Sequence, residues 1–249
     1  MPAALPQPLR NTRVLSLALN LPGPAALMRC ARMGAECTKL EPPPAPGYPS
    51  ADPMGIYSPA AYATLHDGVR VVHAHLKTPE GQAALHDELA RTDVLITSFR
   101  PSALTKLGLG WDALQAQYPR LSLVRIVGAA AERAEEPGHD LTYLADAGLV
   151  TGTEMPPTLY ADMGGALMAS EAVLQALLER AHTGSGVCIE VALADAAAWL
   201  AQPRHWGLTT PDGDVGGHHA GYRIYPCADG RVAVAALEPH FAASLCAAA

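Results

Sequence analysis

The chain has 249 residues, of which 49% are hydrophobic and 16% are charged. This balance supports a sizeable buried core and excludes a disordered chain. The formal net charge of −7 argues against a nucleic-acid-binding or membrane-surface protein, because neither could draw its affinity from a basic face.

The cysteines and the N-terminal segment indicate the cellular compartment in which the protein is expected. Five scattered cysteines contain no C-x-x-C pair, which argues against a disulfide framework or a zinc site and fits a reducing environment. The N-terminal segment lacks the long apolar core of a signal peptide, and no run of 18 apolar residues follows it. We therefore expect a soluble, cytoplasmic protein.

Strands and helices alternate over the first 128 residues. A strand at 12–19, a Gly/Pro turn with a helix ending at Gly34, and a strand at 36–41 form a βαβ unit, which is the building block of parallel sheets. The pattern repeats with strands at 69–76, 93–99 and 121–128 and helices at 78–92, 101–109 and 111–119. This alternation predicts an α/β fold with a doubly wound, mostly parallel, Rossmann-like sheet.

The pattern changes after residue 128. It predicts a helix at 142–150, a loop at 151–165, a long amphipathic helix at 165–186, a strand at 187–193 and a helix at 194–208. A β-hairpin with Asp229-Gly230 as its tight turn is expected at 222–237. The predicted domains are a large α/β domain at 1–208, a linker at 209–221 and the start of a truncated small domain at 222–249.

Three side chains could carry acid–base chemistry. Asp162, in YADMGGA, lies close to a predicted helix start, although an N-capping role would also explain an aspartate there. His139, in PGHDLTY, lies at a loop-to-helix junction beside Asp140, which could be the helix cap. The imidazole is either solvated or a proton shuttle. Glu238, in AALEPHF, ends a strand, where surface solvation is the alternative.

Other chemistries lack their motifs. The turn NLPGPAALM has no G-x-G-x-x-G, and its prolines remove N–H donors that a pyrophosphate needs, so we expect no nicotinamide cofactor. The histidines lack the i, i+4 spacing with glutamate that marks a zinc helix, so no metal is expected. The absence of G-x-S-x-G argues against a serine nucleophile.

Several collinear segments together resemble the family III CoA-transferases, a superfamily that includes α-methylacyl-CoA racemase, carnitine CoA-transferase and formyl-CoA transferase. The segments are TRVLSLALNLPGPAALMRCARMGAECTKLEPP, LKTPEGQAALHDELARTDVLITSFRPSALTKLGL, YPRLSLVRIVG, GHDLTYLADAGL, YADMGGALMASEAVLQALLERAHTGSGVCIEVALADA and YRIYPCADGRVAVAALEPHF. Together they cover nearly the whole chain. The resemblance implies that the large domain binds coenzyme A as an acyl-CoA substrate.

The resemblance also implies roles for particular residues. Asp162 falls on the family's catalytic aspartate, which forms a mixed acyl anhydride in the transferases and pairs with a histidine in the racemases. His139 and Glu238 fall on the racemase histidine and glutamate. Lys39 and Arg100 fall where the family places basic residues near the CoA phosphates. Backbone N–H groups around Gly164 and Gly165 would then stabilise the enolate or oxyanion.

We therefore expect an acyl-CoA enzyme. Racemisation at the carbon next to the thioester is favoured because the histidine and glutamate positions are filled. The alternative is CoA transfer to a carboxylic acid acceptor through an Asp162 anhydride. The chain ends where longer members of the family build a small domain, so a non-catalytic CoA-binding or partner subunit is a third hypothesis. The resemblance also implies a homodimer.

Overall fold

A computed structural model describes residues 6–248 of the chain. The chain divides into two compact units, with the boundary between Ala197 and Ala198, and each unit is described by itself. The domain boundaries at 208 and 221 stay a prediction.

The first unit is built on a six-stranded sheet in the order β3-β2-β1-β4-β5-β6. Every neighbouring pair in it is parallel. The strands are β1 (Arg13–Ser16), β2 (Glu36–Glu41), β3 (Arg70–His73), β4 (Val94–Thr97), β5 (Ser122–Val127) and β6 (Cys188–Ala192). This order confirms the predicted doubly wound, Rossmann-like fold, in which the chain reverses its direction of winding between β1 and β4.

The helices of this unit follow the predicted order with two additions. They are α1 (Pro22–Arg32), α2 (Pro53–Tyr57), α3 (Pro59–Leu65), α4 (Pro79–Leu89), α5 (Pro101–Lys106), α6 (Trp111–Gln117), α7 (Asp140–Asp146), α8 (Tyr160–Thr183) and α9 (Leu193–Leu200), which crosses the unit boundary. The short helices α2 and α3 lie in a stretch to which the sequence analysis assigned no element. Across residues 6–248, no helix has the length and apolar character needed to cross a bilayer.

Alternate strand residues face two hydrophobic layers, as the two-residue period of a strand requires. Val94 and Ile96 of β4 join one buried cluster with side chains of α1 and α8. Leu95, between them, joins a second cluster with side chains of α4, α5 and α6. The sheet is therefore covered on both faces, which explains the near-continuous apolar strands of the sequence.

Helix α1 packs closely against the turn that follows β1 because of a glycine. A Cβ atom on Gly23 would collide with the Cβ of Ala18, which lies in that turn. Pro22, the first residue of α1, needs no intrahelical acceptor at that position. The Gly/Pro sequence is thus explained by the close approach of the first turn of α1 to the chain that leaves β1.

A buried ionic cluster lies beside this turn. The Lys39 ammonium group is 0% exposed and pairs with the carboxylates of Asp52 and, at 3.2 Å, Glu41. Asp52 Oδ1 accepts hydrogen bonds from the N–H groups of Asn20 at 3.0 Å and Met54 at 2.9 Å. Asp52 therefore ties the turn after β1 to the segment that begins α2.

The second unit contains the predicted hairpin. It holds the short helix α10 (Gln202–His205), strands β7 (Tyr222–Cys227) and β8 (Gly230–Ala235), and helix α11 (Pro239–Ala248). The strands are antiparallel, and Cys227 pairs with Gly230. The tight turn is therefore Ala228-Asp229, one residue earlier than predicted.

Replacing Asp52 by alanine should strongly destabilise the chain. The substitution leaves Lys39 buried with one fewer counter-charge and removes the acceptor for two backbone N–H groups. Breaking a buried pair in this way costs about 3–5 kcal/mol. Urea unfolding followed by far-ultraviolet circular dichroism measures the change in the free energy of unfolding.

Glu136→Ala is the matched control, because it breaks an ion pair with Arg133 in which both side chains are more than half exposed. The expected loss is below about 1 kcal/mol. Equal losses for the two variants would contradict the structural importance of the buried cluster.

Candidate active site

A pocket of about 680 Å³ lies at the carboxyl ends of the central strands. Its walls come from the turn after β1, the turn after β4, the end of β5 and the segment before α7, together with the starts of α2 and α8. The side chains in its lining include Asn20, Tyr57, Arg100, Glu136, His139, Asp140, Tyr143, Leu159 and Asp162. In doubly wound sheets, this position between β1 and β4 is where ligands bind.

Hydrogen bonds hold the walls of this pocket together. The Leu19 N–H donates to Ser98 Oγ at 3.2 Å, which joins the turns after β1 and β4. The Ser102 N–H and hydroxyl both donate to the Glu135 carboxylate, at 2.7 and 2.9 Å. That pair of bonds fixes the 3₁₀ helix Ala131–Glu135 to the start of α5.

His139 is the N-cap residue of α7, and its side chain is exposed along the pocket wall. Its N–H donates to Thr142 Oγ1 at 3.0 Å, and the Thr142 hydroxyl donates to the His139 carbonyl oxygen at 2.7 Å. These bonds fix the backbone of His139 at the first turn of the helix. The imidazole is thus carried by a fixed backbone but remains open to the pocket.

Asp162 lies in the first turn of α8 and lines the same pocket. Its N–H donates to Oδ1 of Asp140 at 3.0 Å. The pKa of the Asp162 carboxyl is raised from 3.8 to about 6, chiefly by burial and then by the negative charge of Asp140, while His139 acts in the opposite direction. Asp162 is therefore a half-buried carboxyl that titrates closer to neutral pH than an ordinary aspartate.

Helix α8 begins earlier than predicted, and this corrects the expected role of two glycines. Gly164 and Gly165 lie in its second turn, where backbone N–H groups bond to carbonyls one turn earlier. Those N–H groups are not available to an enolate or oxyanion. A Cβ atom on Gly165 would collide with the Leu193 side chain, so this glycine serves the packing of α8.

The two predicted phosphate-binding residues lie in different surroundings. Arg100 is exposed in the turn after β4 and lines the pocket. Lys39 is fully buried, and its ammonium group pairs with Asp52 and Glu41. The burial of Lys39 contradicts the expectation that it contacts a phosphate, because a paired ammonium group without solvent exposure cannot reach a ligand.

Glu238 lies in the second unit, between β8 and α11. Its side chain is exposed, and its carbonyl oxygen accepts the Ala242 N–H at 3.0 Å. The proposed role of Glu238 therefore stays a prediction.

Two pocket residues, Asn20 and Tyr143, were not predicted from the sequence. Asn20 has a left-handed backbone with φ of 64° and follows β1. Tyr143 is buried, and its pKa is raised by burial and by the charge of Asp162. Cβ atoms on Gly128 or Gly138 would collide with the Tyr143 hydroxyl. Tyr143 follows Asp140 by three residues, which places the two side chains on the same side of α7. That spacing was the signal in the sequence that Tyr143 belongs to the pocket.

Comparison with known proteins assigns the chain to a family. Residues 9–249 match the family model described as CoA-transferase family III, and the chain belongs to that family. It is 30% identical to human alpha-methylacyl-CoA racemase over 94% of this chain and 62% of the relative. It is also 30% identical to succinyl-CoA–D-citramalate CoA-transferase of Chloroflexus aurantiacus, over 90% of this chain and 60% of the relative.

A solved structure agrees with this assignment. The crystal structure of a CAIB/BAIF family protein from Brucella suis superimposes with a TM-score of 0.79 at 28% identity, covering 92% of this chain and 66% of that one. The chain spans about 60% of the length of the two curated relatives above. The relatives carry different activities, so the family alone does not specify the reaction.

Asp162→Asn should stabilise the chain at high pH. Because the pKa of Asp162 is raised from its ordinary value of 3.8 to about 6 on folding, the folded state binds this proton more tightly than the unfolded state. Stability from this group is therefore greatest at low pH and falls as the pH rises through about 6. Removing the ionisable group should raise Tm at about pH 8 by roughly 2–4 °C, and much less near pH 4.

Thermal unfolding at the two pH values measures this difference. Glu171→Gln, which neutralises an exposed carboxylate on the same helix, is the control and should give no such pH-dependent gain. A lower Tm for Asp162→Asn at about pH 8 would contradict the raised pKa.

Proposed function

We propose that the protein catalyses proton transfer at the carbon next to the thioester of a 2-methylacyl-CoA, as an α-methylacyl-CoA racemase does. The observation that carries the proposal is that His139 and Asp162 line one pocket at the carboxyl ends of the sheet strands. This is the arrangement that a two-base reaction needs, because an acid and a base must reach the same carbon.

In the proposed reaction, the ionised Asp162 carboxylate removes the α-proton. The electrons of the C–H bond form the enolate double bond, and those of the thioester carbonyl move to its oxygen. The protonated imidazole of His139 then gives a proton to the opposite face, and the thioester is restored. The reverse direction uses the same two groups with exchanged roles. A carboxyl with a pKa of about 6 suits this exchange, since its proton affinity approaches that of an ordinary imidazole.

Coenzyme A is the proposed carrier of the acyl group. Arg100 is exposed in the pocket wall, and a guanidinium group there can form bidentate hydrogen bonds to a phosphate. With Lys39 buried, Arg100 is the remaining member of the predicted cationic pair. The nucleotide end of the substrate would therefore lie on the side of the pocket formed by the turn after β4.

CoA transfer is the second candidate function. It is favoured by the 30% identity to a CoA-transferase that covers 90% of this chain and by the position of the half-buried Asp162 carboxyl in the lining of the pocket. In that reaction, the Asp162 oxygen attacks the thioester carbon, the carbon–sulfur bond breaks, and CoA leaves as the thiolate. The CoA thiolate then attacks the Asp162 carbonyl of the anhydride and releases the donor carboxylate. The acceptor carboxylate attacks the resulting Asp162–CoA thioester, which forms a second anhydride and frees the thiolate again. The thiolate attacks the acyl carbon of the acceptor, so the acceptor leaves as its CoA thioester and the Asp162 carboxylate is regenerated.

Replacing either pocket residue should abolish inversion at the α-carbon. We expect the wild-type protein to interconvert the two enantiomers of 2-methylacyl-CoA in heavy water and to incorporate deuterium at the α-carbon, measured by chiral chromatography and mass spectrometry. Asp162→Asn and His139→Gln each remove one acid–base group and should lower the rate of inversion by about 100-fold or more. Glu171→Gln, on the exposed side of α8, should leave the rate unchanged.

The same incubations separate the alternatives. Hydroxylamine trapping of an acyl group at Asp162, together with CoA exchange into a carboxylic acid and no deuterium incorporation, would establish transfer. Binding of acyl-CoA in calorimetry without either reaction would establish a non-catalytic CoA-binding protein. An unchanged rate of inversion in both variants would remove His139 and Asp162 from the mechanism.

Arg100→Met should weaken the binding of the nucleotide part of the substrate. The loss of a charge-assisted hydrogen bond should raise KM for acyl-CoA by about 10-fold. The corresponding acyl-pantetheine lacks the nucleotide phosphates, so its KM should be unchanged by the substitution.

Arg10→Met is the charge-matched control, because Arg10 is exposed before the amino end of β1, at the opposite edge of the sheet. Its KM values should equal those of the wild type. An Arg100→Met variant with equal losses for acyl-CoA and acyl-pantetheine would contradict phosphate binding by Arg100.

A further inference from the structure

We propose that Asp140 is a positioning residue, which holds Asp162 in place relative to His139 and acts on its carboxyl through its own charge. The proposal rests on the proposed function of His139 and Asp162. Asp140 itself is not proposed to touch the reacting atoms.

Asp140 lies between the two proposed acid–base residues in the folded chain. It directly follows His139 and is the first residue of α7, and its side chain is only 6% exposed. Its Oδ1 accepts the Asp162 N–H at 3.0 Å, across 22 residues of sequence. One side chain therefore connects the backbone that carries the imidazole to the backbone that carries the catalytic carboxyl.

Helix α8 needs this connection because its own N-cap cannot supply it. The N-cap residue is Leu159, whose side chain has no acceptor for the N–H groups of the first turn. Asp140 supplies the acceptor from the neighbouring helix. Its carboxylate lies at the start of α7 and beside the start of α8, and helix N-termini favour negative charge.

The charge of Asp140 has a second consequence. The titratable and charged side chains that share the pocket with Asp162 are Tyr57, Arg100, Glu136, His139, Asp140 and Tyr143. Of these, Asp140 raises the pKa of Asp162 and His139 lowers it, while burial has the largest effect. Asp140 therefore has two separable roles, as a hydrogen-bond acceptor and as a negative charge.

Asp140→Asn separates these roles, because its amide oxygen can still accept the Asp162 N–H while the charge is removed. Titration of the Asp162 side-chain carbon by NMR, assigned by difference from Asp162→Asn, reports its pKa without any substrate. We expect this pKa to fall from about 6 toward its ordinary value of 3.8. In the proposed reaction, the acid limb of kcat/KM should move to lower pH and kcat near pH 8 should fall by about 3–10-fold.

Two further variants make the test specific. Asp146→Asn removes an exposed negative charge from the other end of α7 and should leave the pKa of Asp162 unchanged. Asp140→Ala removes both the charge and the acceptor, so kcat should fall further than in Asp140→Asn at the same Asp162 pKa.

The outcomes are decisive whether or not turnover is found. A lower Asp162 pKa in folded Asp140→Asn supports the proposal even if no variant turns over acyl-CoA, in which case the proposed function alone fails. An unchanged pKa overturns the proposal whatever the activity. Should Asp140→Asn not fold, Asp140→Ser provides a second neutral acceptor. If neither folds, Asp140 is required for folding and the positioning role is wrong.

Discussion

The site depends on the divergence of two neighbouring parallel strands. After β1 the chain enters α1 on one face of the sheet, and after β4 it enters α5 on the other face. Loops that leave in opposite directions cannot pack against each other over their full length, so a crevice opens at their shared edge. Asn20 lines the crevice from the first of these loops, and Ser98 and Arg100 line it from the second. Because α7 and α8 begin beside it, their first residues become pocket residues.

Burial affects two groups of carboxylates in the first unit in opposite ways. Asp52 and Glu41 are fully buried with Lys39, and the ion pairs compensate for the loss of solvation. Asp162 is half-buried next to a second carboxylate, which opposes its ionisation. The first arrangement stabilises the loops that form the pocket wall. The second arrangement destabilises the folded protein when Asp162 is ionised. It also keeps the pKa of that carboxyl near the pH at which the group can both accept and donate a proton. Such a loss of stability is a known compromise with activity.

The α/β alternation and the six parallel strands were predictable because apolar runs and Gly/Pro turns are local signals. The start of α8 was not, because its acceptor comes from Asp140, 22 residues earlier, and Gly164 and Gly165 suggested a loop. Lys39 was misassigned because its partner Asp52 becomes a neighbour only after folding. Asp162 and His139 were selected from the family resemblance, and their common pocket depends on the packing of α7 on α8, which no local pattern encodes.

The charge next to Asp162 bears on both candidate reactions. Transfer through an anhydride requires an ionised carboxylate nucleophile, and a neighbouring negative charge reduces the ionised fraction near pH 6. Racemisation requires two groups that exchange protonation states, because each is the base for one enantiomer and the acid for the other. Asp140 moves the pKa of Asp162 toward that of an ordinary imidazole. A carboxyl with such a pKa is still mostly ionised above pH 6, so the charge of Asp140 fits the proposed proton transfer without separating it from CoA transfer, and that choice depends on the fate of the α-proton and of CoA.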